Sequence, residues 1–490
     1  MNLRPSRILS LVCLTGMAFP ALCQPVRSFT LPDIIALAQS QSPKYRLART
    51  QKEVKFYEYL TYLSDLRPQI SLYGNAPVYN KQYVSVVQPD GSIKFQPVQQ
   101  NTTNLGLSLS QQLPFTGGQL SLNTEINQFY DFQNKYSQYN GTPLFFLLNQ
   151  PLFAFNEMKW KKKIEPLNLE ASKREYVQEM ENIAQQAVKL YFDVLDAGSD
   201  MNIANANLTN TGINYEIEKK RVELGTTTED KLLQLQLQTL KSRQELERAK
   251  YAYKMAELSL RTFIGNKENA DLSLAVPEKV PLLSVPLEKA ISYARLYRPE
   301  FIAFERKKME AERDVAQARA AKQVNLTASY GLNRAADRLG PIYSDPQSQQ
   351  TFSVGINMPI IDWGRRRARY NTALAQEKQV EYSNELDESS LVQEITTLVG
   401  NIELLKGNIQ LADMTDSVAR RRFAIADGLY KSGRLTVMEL NLAQSEKDNA
   451  ERSYVSALRE YWNAYYLLRR LTIFDFENQV PLYQNTASLP

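Results

Sequence analysis

Two periodicities run through this chain. In some stretches apolar and polar residues alternate one by one. Leu326, Ala328, Tyr330 and Leu332 are separated by Thr327, Ser329 and Gly331, and Phe352, Val354, Ile356 and Met358 stand against Thr351, Ser353, Gly355 and Asn357. A period of two places the two sets on opposite faces of a strand. A membrane barrel, apolar outside and polar inside, has this pattern, and so does a half-buried strand of a soluble sheet. Elsewhere the apolar residues step by three and four. Leu246, Ala249, Tyr253, Ala256, Leu260 and Phe263 form one such series, and Tyr454, Ala457, Tyr461, Ala464, Leu468 and Leu471 another. That is the 3.5-residue period of packed helices. From Asn156 to Leu224 there are 69 residues with few breakers, and from Asp362 to Lys431 there are 70. Unbroken, each makes a helix of about 100 Å. Pro166, Gly198, Gly400 and Gly407 could interrupt them.

The two helical series are 208 residues apart at every position, and the same offset links Pro151 to Pro359 and Gly225 to Gly433. Matches this numerous at one offset indicate an internal duplication. The earlier parts of the halves match at 256, from Leu31 to Leu287 and from Pro43 to Pro299. Each half reads as helix, strand, loop, strand, long helix, turn, long helix. The first half carries a surplus of 49 residues between Gly74 and Pro151. Within it Leu105, Leu107 and Leu109 alternate, as do Leu120, Leu122, Thr124, Ile126, Gln128 and Tyr130, with a PFTGGQ turn between them. The surplus is therefore expected to add a strand pair. Both long helices open on basic runs, MKWKKKIE and RRRARY. Positive charge at a helix start opposes the macrodipole, so anionic groups at a membrane surface are one candidate partner and a solvated face is the other.

The start of the chain reads as a leader. Arg4 and Arg7 precede an apolar run from Ile8 to Phe19, and Ala21-Leu22-Cys23 fits a small-x-small cleavage site. The expected division is 1–23 signal peptide, 24–270 first repeat with its tip near 225, and 271–490 second repeat with strands at about 325–358 and a tip near 433. Leu22 is not small, which argues against a lipid on Cys23. Beyond the leader no apolar run reaches 18 residues, so any membrane span has to be made of strands. The only cysteines are Cys13 and Cys23, and histidine is absent. The usual zinc ligands and the Ser-His and Cys-His chemistries are therefore missing from the mature chain, and no cofactor or metal is expected. The net charge of +5, or +3 without the leader, is too mild for a nucleic-acid partner. The 27 tyrosines suit interfaces and membrane-level aromatic belts.

Taken together, the start FTLPDIIALAQSQSPKYRLA, the block RPEFIAFERKKMEAERDVAQARA, the strand exit FSVGINMPIIDWGRRRARY and the ending LYKSGRLTVMELNLAQSEKDNAERSYVSALREYWNAYYLLRRL make the whole mature chain resemble the TolC family of outer-membrane factors. The resemblance implies an α+β membrane protein with an internally duplicated protomer. It implies a homotrimer in outer-membrane lipid, with a twelve-stranded β-barrel that continues into a long periplasmic α-helical barrel. It also implies a passive duct, not an enzyme, that docks to a periplasmic adaptor and an inner-membrane transporter. Against that pattern, the surplus strand pair is expected to extend the sheet outside a twelve-stranded barrel, in preference to entering it and giving eighteen strands.

The family's helix-tip turns match Leu224, Gly225, Thr226 and Thr227, and Ser432, Gly433, Arg434 and Leu435. The resemblance makes these the adaptor contacts. It places a carboxylate ring after the second tip at Glu439, while the next such position is Leu442 and departs from the pattern. For Glu439 a solvated helix residue is the plain alternative. An exported structural or adhesive coiled-coil protein is the competing reading of the chain, though it would not need the alternating strands.

Overall fold

The computed structural model describes residues 28–266, 273–277, 280–281, 284–320 and 323–484. The leader, its cleavage site and the junction proposed between the repeats lie outside or at the edge of these residues. In chain order the elements are β1 (Ser28–Phe29), α1 (Leu31–Gln41), α2 (Pro43–Asp65), β2 (Gln69–Val87), β3 (Ile93–Leu113), β4 (Gly118–Asp131), β5 (Tyr136–Leu152), α3 (Glu157–Glu223) and α4 (Glu229–Ile264). Then follow β6 (Ser273–Leu274), α5 (Leu287–Tyr297), α6 (Pro299–Arg319), β7 (Gln323–Ala336), α7 (Leu339–Ser344), β8 (Gln347–Asn357), α8 (Arg365–Lys431), α9 (Val437–Thr472), β9 (Phe474–Asp475) and β10 (Val480–Pro481).

The repeat is visible in the helices. α3 and α8 are each 67 residues long, and α4 and α9 are each 36. All four boundaries are displaced by 208. None of the candidate breaks interrupts its helix. Pro166 lies inside α3 and removes one ladder hydrogen bond, but α2 and α6 pack along this stretch and hold it straight through. Gly198, Gly400 and Gly407 are likewise continuous helix.

All six long strands form one antiparallel sheet in the order β2-β3-β4-β5-β7-β8. Its base, next to the helices, is level across the sheet. Gln69 faces Ser110, Leu113 faces Gly118, Gln119 faces Asn149, Leu152 faces Val324 and Gln323 faces Asn357. The surplus pair is thus real, with its turn at 114–117, but it does not lie above the other strands as expected. β3 and β4 stand in line with them, because their apolar residues pair in register with those of β2 and β5. Only the β2–β3 ribbon protrudes, beyond the last β3–β4 pair at Gln100 and Asp131. The loop between β7 and β8 holds α7, whose buried Ile342 packs over Gly141 of β5.

The helices form one slab in two tiers. Near the sheet the neighbours are α2, α3, α6 and α8; near the tips they are α4, α3, α9 and α8. The main core lies at the waist between these two tiers, where α1 and α5 cover α3, α8 and α9. Tyr191, Phe192, Leu260, Leu458, Tyr461 and Leu468 are fully enclosed there. A smaller cluster of Ala426, Tyr430, Leu440 and Ala443 sits beside the second tip.

Candidate functional site

Both helix tips end in the same backbone motif. At the first, Gly225 N–H donates to Val222 O and Thr226 N–H to Arg221 O, each at 2.9 Å. At the second, Gly433 N–H donates to Tyr430 O and Arg434 N–H to Leu429 O, again at 2.9 Å. This Schellman pattern needs a left-handed residue after the helix, and φ is +69° at Gly225 and +74° at Gly433. A side chain there is strained whatever room surrounds it. Gly225 faces open space and Gly433 has only an Arg221 guanidinium nitrogen at 3.9 Å.

The flanking residues differ. Leu224 is exposed at the first tip, while Leu435 folds back onto the Tyr430 cluster at the second. Ser432 bonds its own helix through Leu429 O, and Arg434 is exposed. Thr226 Oγ1 donates to Arg221 O and Thr227 Oγ1 to Glu218 Oε1. Glu439 is not held in a ring within the protomer. It is the third residue of α9, and its carboxylate accepts from Thr436 N–H at 2.9 Å and Thr436 Oγ1 at 2.7 Å, while Glu439 N–H donates back to Thr436 Oγ1. These bonds hold its carboxyl below the usual glutamate range. The Thr-Val-Met-Glu capping box was readable in the sequence.

One constellation escaped the sequence reading. Glu218 is buried, accepts from Thr227 and takes an Arg221 guanidinium hydrogen bond at 3.2 Å. The same guanidinium lies 5.6 Å over the ring of Tyr430 on the other hairpin. Burial, and secondarily the charge of Glu218, pushes the Tyr430 hydroxyl up. The two tips are therefore tied through residues about 210 positions apart, a separation at which no local pattern gives a signal. Among the described residues no group of His, Cys, Asp and Glu is placed to hold a metal.

At the other end, the strand-to-helix passages and the turn between β3 and β4 expose large side chains. Trp363 is 95% exposed and Phe115 90%, with Phe153, Ile360 and Ile361 also in the open. Phe153 and Trp363 both have positive φ, at 59° and 53°. Beside them stand Lys159, Lys162 and Lys163 at the start of α3 and Arg365, Arg366, Arg367 and Arg369 at the start of α8, none ion-paired with a described residue. The helix N-termini are capped by Asn156, which accepts from Lys159 N–H, and by Asp362, which accepts from Gly364 and Arg366 N–H.

The slab has two bare edges along its whole length. One is α8 and β8; the other is α4, α2 and β2. α8 buries Ile395, Leu398, Ile402, Leu405 and Ile409 inside the protomer and exposes a second heptad row of Leu404, Leu411, Val418 and Ile425, with Gly407, Met414 and Gly428 alongside. α4 likewise exposes Leu233, Leu237, Leu240, Tyr251 and Leu258, and α2 exposes Leu47, Val54 and Tyr57.

A family described as "Outer membrane efflux protein" matches residues 112–266 and 290–472. Among curated relatives, the cation efflux system protein CusC of Escherichia coli (strain K12) is 22% identical over 277 residues, which is 55% of this chain and 58% of that protein. The probable outer membrane lipoprotein SilC of Salmonella typhimurium is 23% identical over 274 residues, with the same coverage. The matched part of the chain thus spans little over half the length of these relatives. Among solved structures, the CmeC outer membrane channel of Campylobacter jejuni superposes with a TM-score of 0.68 at 15% identity, over 90% of this chain and 85% of that one. The outer membrane protein VceC of Vibrio cholerae does so with 0.63 at 15%, over 90% and 95%. The solved structures share the fold, and on the extent of the family match this chain belongs to the outer membrane efflux protein family.

Proposed function

We propose that three copies of this chain form a passive exit duct, with a β-barrel in the outer membrane and an α-helical barrel through the periplasm. The tips dock a periplasmic adaptor that serves an inner-membrane transporter. The observation that carries this reading is the pair of bare edges. A helix apolar on two faces needs both covered, and within the protomer α8 is covered on one only, by α6 near the sheet and α9 toward the tips. Unlike edges that meet head to tail generate a closed ring if the rotation closes. Here α8 meets the α4 and α2 edge of the next copy, and β8 meets its β2. Three is the number that the resemblance to the TolC family implies.

The base of the sheet then lies at the inner surface of the outer membrane. Phe115, Phe153 and Trp363 form its aromatic belt, and the lysines of α3 and arginines of α8 face anionic headgroups, which accounts for cations at helix starts that the dipole disfavours. The tips lie about 100 Å from the sheet, nearest to the inner membrane. Nothing in this arrangement needs a covalent step, so the duct is passive. An extended coiled coil with a structural role would leave the apolar face of the sheet without a purpose.

The test uses tip variants. In Gly225→Val and Gly433→Val, left-handed strain of about 1–2 kcal/mol falls on the turn, and the added side chain blocks backbone approach. Export and adaptor pull-down should fall at least tenfold. Native mass spectrometry in detergent should still show three copies, and planar bilayers should still show channels. Normal adaptor binding by both variants overturns the docking assignment, and a parent protein that is not trimeric overturns the ring.

A further inference from the structure

We infer that this chain builds an eighteen-stranded outer-membrane barrel, six strands from each of three copies, and therefore a mouth about half as wide again as a twelve-stranded barrel gives. The count rests on the trimeric reading above. The rest comes from the sheet itself.

Every one of the six strands has the length and the face of a membrane strand. The shortest, β8, has 11 residues, and a tilted span needs about 9–11. One face is apolar and exposed on all six: Ile70 and Leu72 on β2, Leu107 on β3, Leu120 on β4, Phe146 on β5, Tyr330 on β7 and Val354 on β8. These residues fall in register across the sheet. Ile70 pairs with Leu109, Leu109 with Leu122, Leu122 with Phe146, and Phe146 with Tyr330. The apolar band therefore crosses the surplus strands without a step. A hairpin lying in the lumen or above the membrane would show polar residues on that face or sit at another level. The opposite face carries Ser110, Ser121, Ser329 and Thr351 along one row, interrupted by Leu147. A polar face suits a water-filled lumen.

The extra turn is also built into the base. Pro114 O accepts from Asn156 Nδ2 at 2.9 Å, and Thr116 O accepts from Gln150 Nε2 at 3.0 Å. Asn156 is the cap of α3, so the turn is pinned where strand passes into helix, and its Phe115 points outward beside Lys162. It is a strand-to-strand turn seated in the rim beside the strand-to-helix passage at Asn156. The bare strands are β2, which runs away from the helices, and β8, which runs back toward them. They can pair antiparallel between copies, and in lipid neither can stay open. The helical ring below still has four helices per protomer in each tier, so the duct widens from helices to sheet. The narrow point then lies at the tips, and the outer mouth admits hydrated polymers as well as small solutes.

The experiment has two arms. Cryo-electron microscopy of the full chain in detergent or nanodiscs should resolve eighteen strands around one barrel, with three copies by native mass. In planar bilayers, polyethylene glycols added on the sheet side should be excluded at a radius about 1.5-fold larger for the full chain than for a variant lacking residues 93–131, which joins β2 directly to β5. Twelve strands in a trimer, with the remaining pair outside the barrel or in the lumen, overturn the inference and leave the duct intact. A mass other than three copies overturns the ring on which the count rests. If the shortened variant fails to assemble, the strand count decides alone.

Discussion

At the waist, Arg469 of α9 ties α3 to the tail of the chain. It is held by two carboxylates, Glu181 at 2.9 Å and Asp475 at 2.5 Å, and lies 5.3 Å over the ring of Tyr466. Glu181 is 4% exposed, so it cannot exchange this partner for water. Asp475 in turn accepts from Glu477 N–H and Asn478 N–H and so fixes the tail that carries Phe474 and Phe476 into the core. Arg469→Met keeps the packing and leaves two buried carboxylates unpaired, which should cost about 3–5 kcal/mol at neutral pH. The pH dependence follows from Asp475. Burial pushes its carboxyl up, but Asn478 and Arg469 outweigh that and hold it below the ordinary value. A depressed carboxyl stabilises the fold fully above its unfolded pKa, about 3.9, and the contribution is lost as pH falls through the folded value. Thermal unfolding in detergent should therefore show the parent losing stability below about pH 4. The variant should start lower at pH 7 and stay level or recover toward acid, as Asp475, without its guanidinium partner, takes up a proton. Parallel profiles would mean that the clasp contributes nothing beyond packing. At the tips the same scale separates what a sequence reveals from what it hides. Gly225, Gly433 and the Thr436–Glu439 capping box are local signatures, whereas Glu218, Arg221 and Tyr430 become a unit only when two hairpins meet.

At the scale of elements, the proposed ring turns on α8. Its exposed row of Leu404, Leu411, Val418 and Ile425 repeats every seven residues and has no partner in the protomer. Val418→Asp puts a charge in the middle of that row. Each of the three seams then buries one unpaired carboxylate, at a cost on the order of 2–5 kcal/mol per interface. Size exclusion and native mass should show monomers that keep the parent's helical circular dichroism, while Glu403→Gln, on an exposed neighbouring position, should stay assembled. An assembled Val418→Asp would place the neighbour elsewhere. Most of this architecture was legible in the sequence because each helix and strand carries its own period. The 208-residue offset returned as four equal helix boundaries, and the alternation at Leu105–Leu109 and Leu120–Tyr130 returned as β3 and β4. The level of those strands was not legible. Alternation fixes which face a side chain takes and says nothing of which strand lies beside it, which is settled by cross-strand register such as Leu109 against Leu122. Whether Pro166 and Gly198 would break α3 was not legible for a related reason: neighbouring helices, invisible to local propensity, hold α3 through both.

For the whole molecule, the duplication is a device for making two tips reach one plane. α3 and α8 have 67 residues each and α4 and α9 have 36, so both hairpins descend equally far from a common sheet. In a ring of three this sets six tips at one depth, which a flat-ended partner can engage together. The requirement is equality between hairpins more than any absolute length, and deletions can test it. Removing residues 210–216 and 233–239 takes one heptad from each arm of the first hairpin. Seven residues are two turns, so the apolar seams stay in phase, but the first tip rises by about 10 Å relative to the second. Three of six tips then miss the docking plane. Adaptor binding should fall at least tenfold in pull-down and export should stop, with trimers still present by native mass. Removing the equivalent residues 418–424 and 441–447 as well shortens the second hairpin by the same amount and restores a level end. The double deletion should therefore bind isolated adaptor better than either single deletion, although its shorter reach weakens export in the cell. If the double deletion binds no better than the singles, the tips do not act as one plane, and adaptor recognition rests on side chains of the removed heptads.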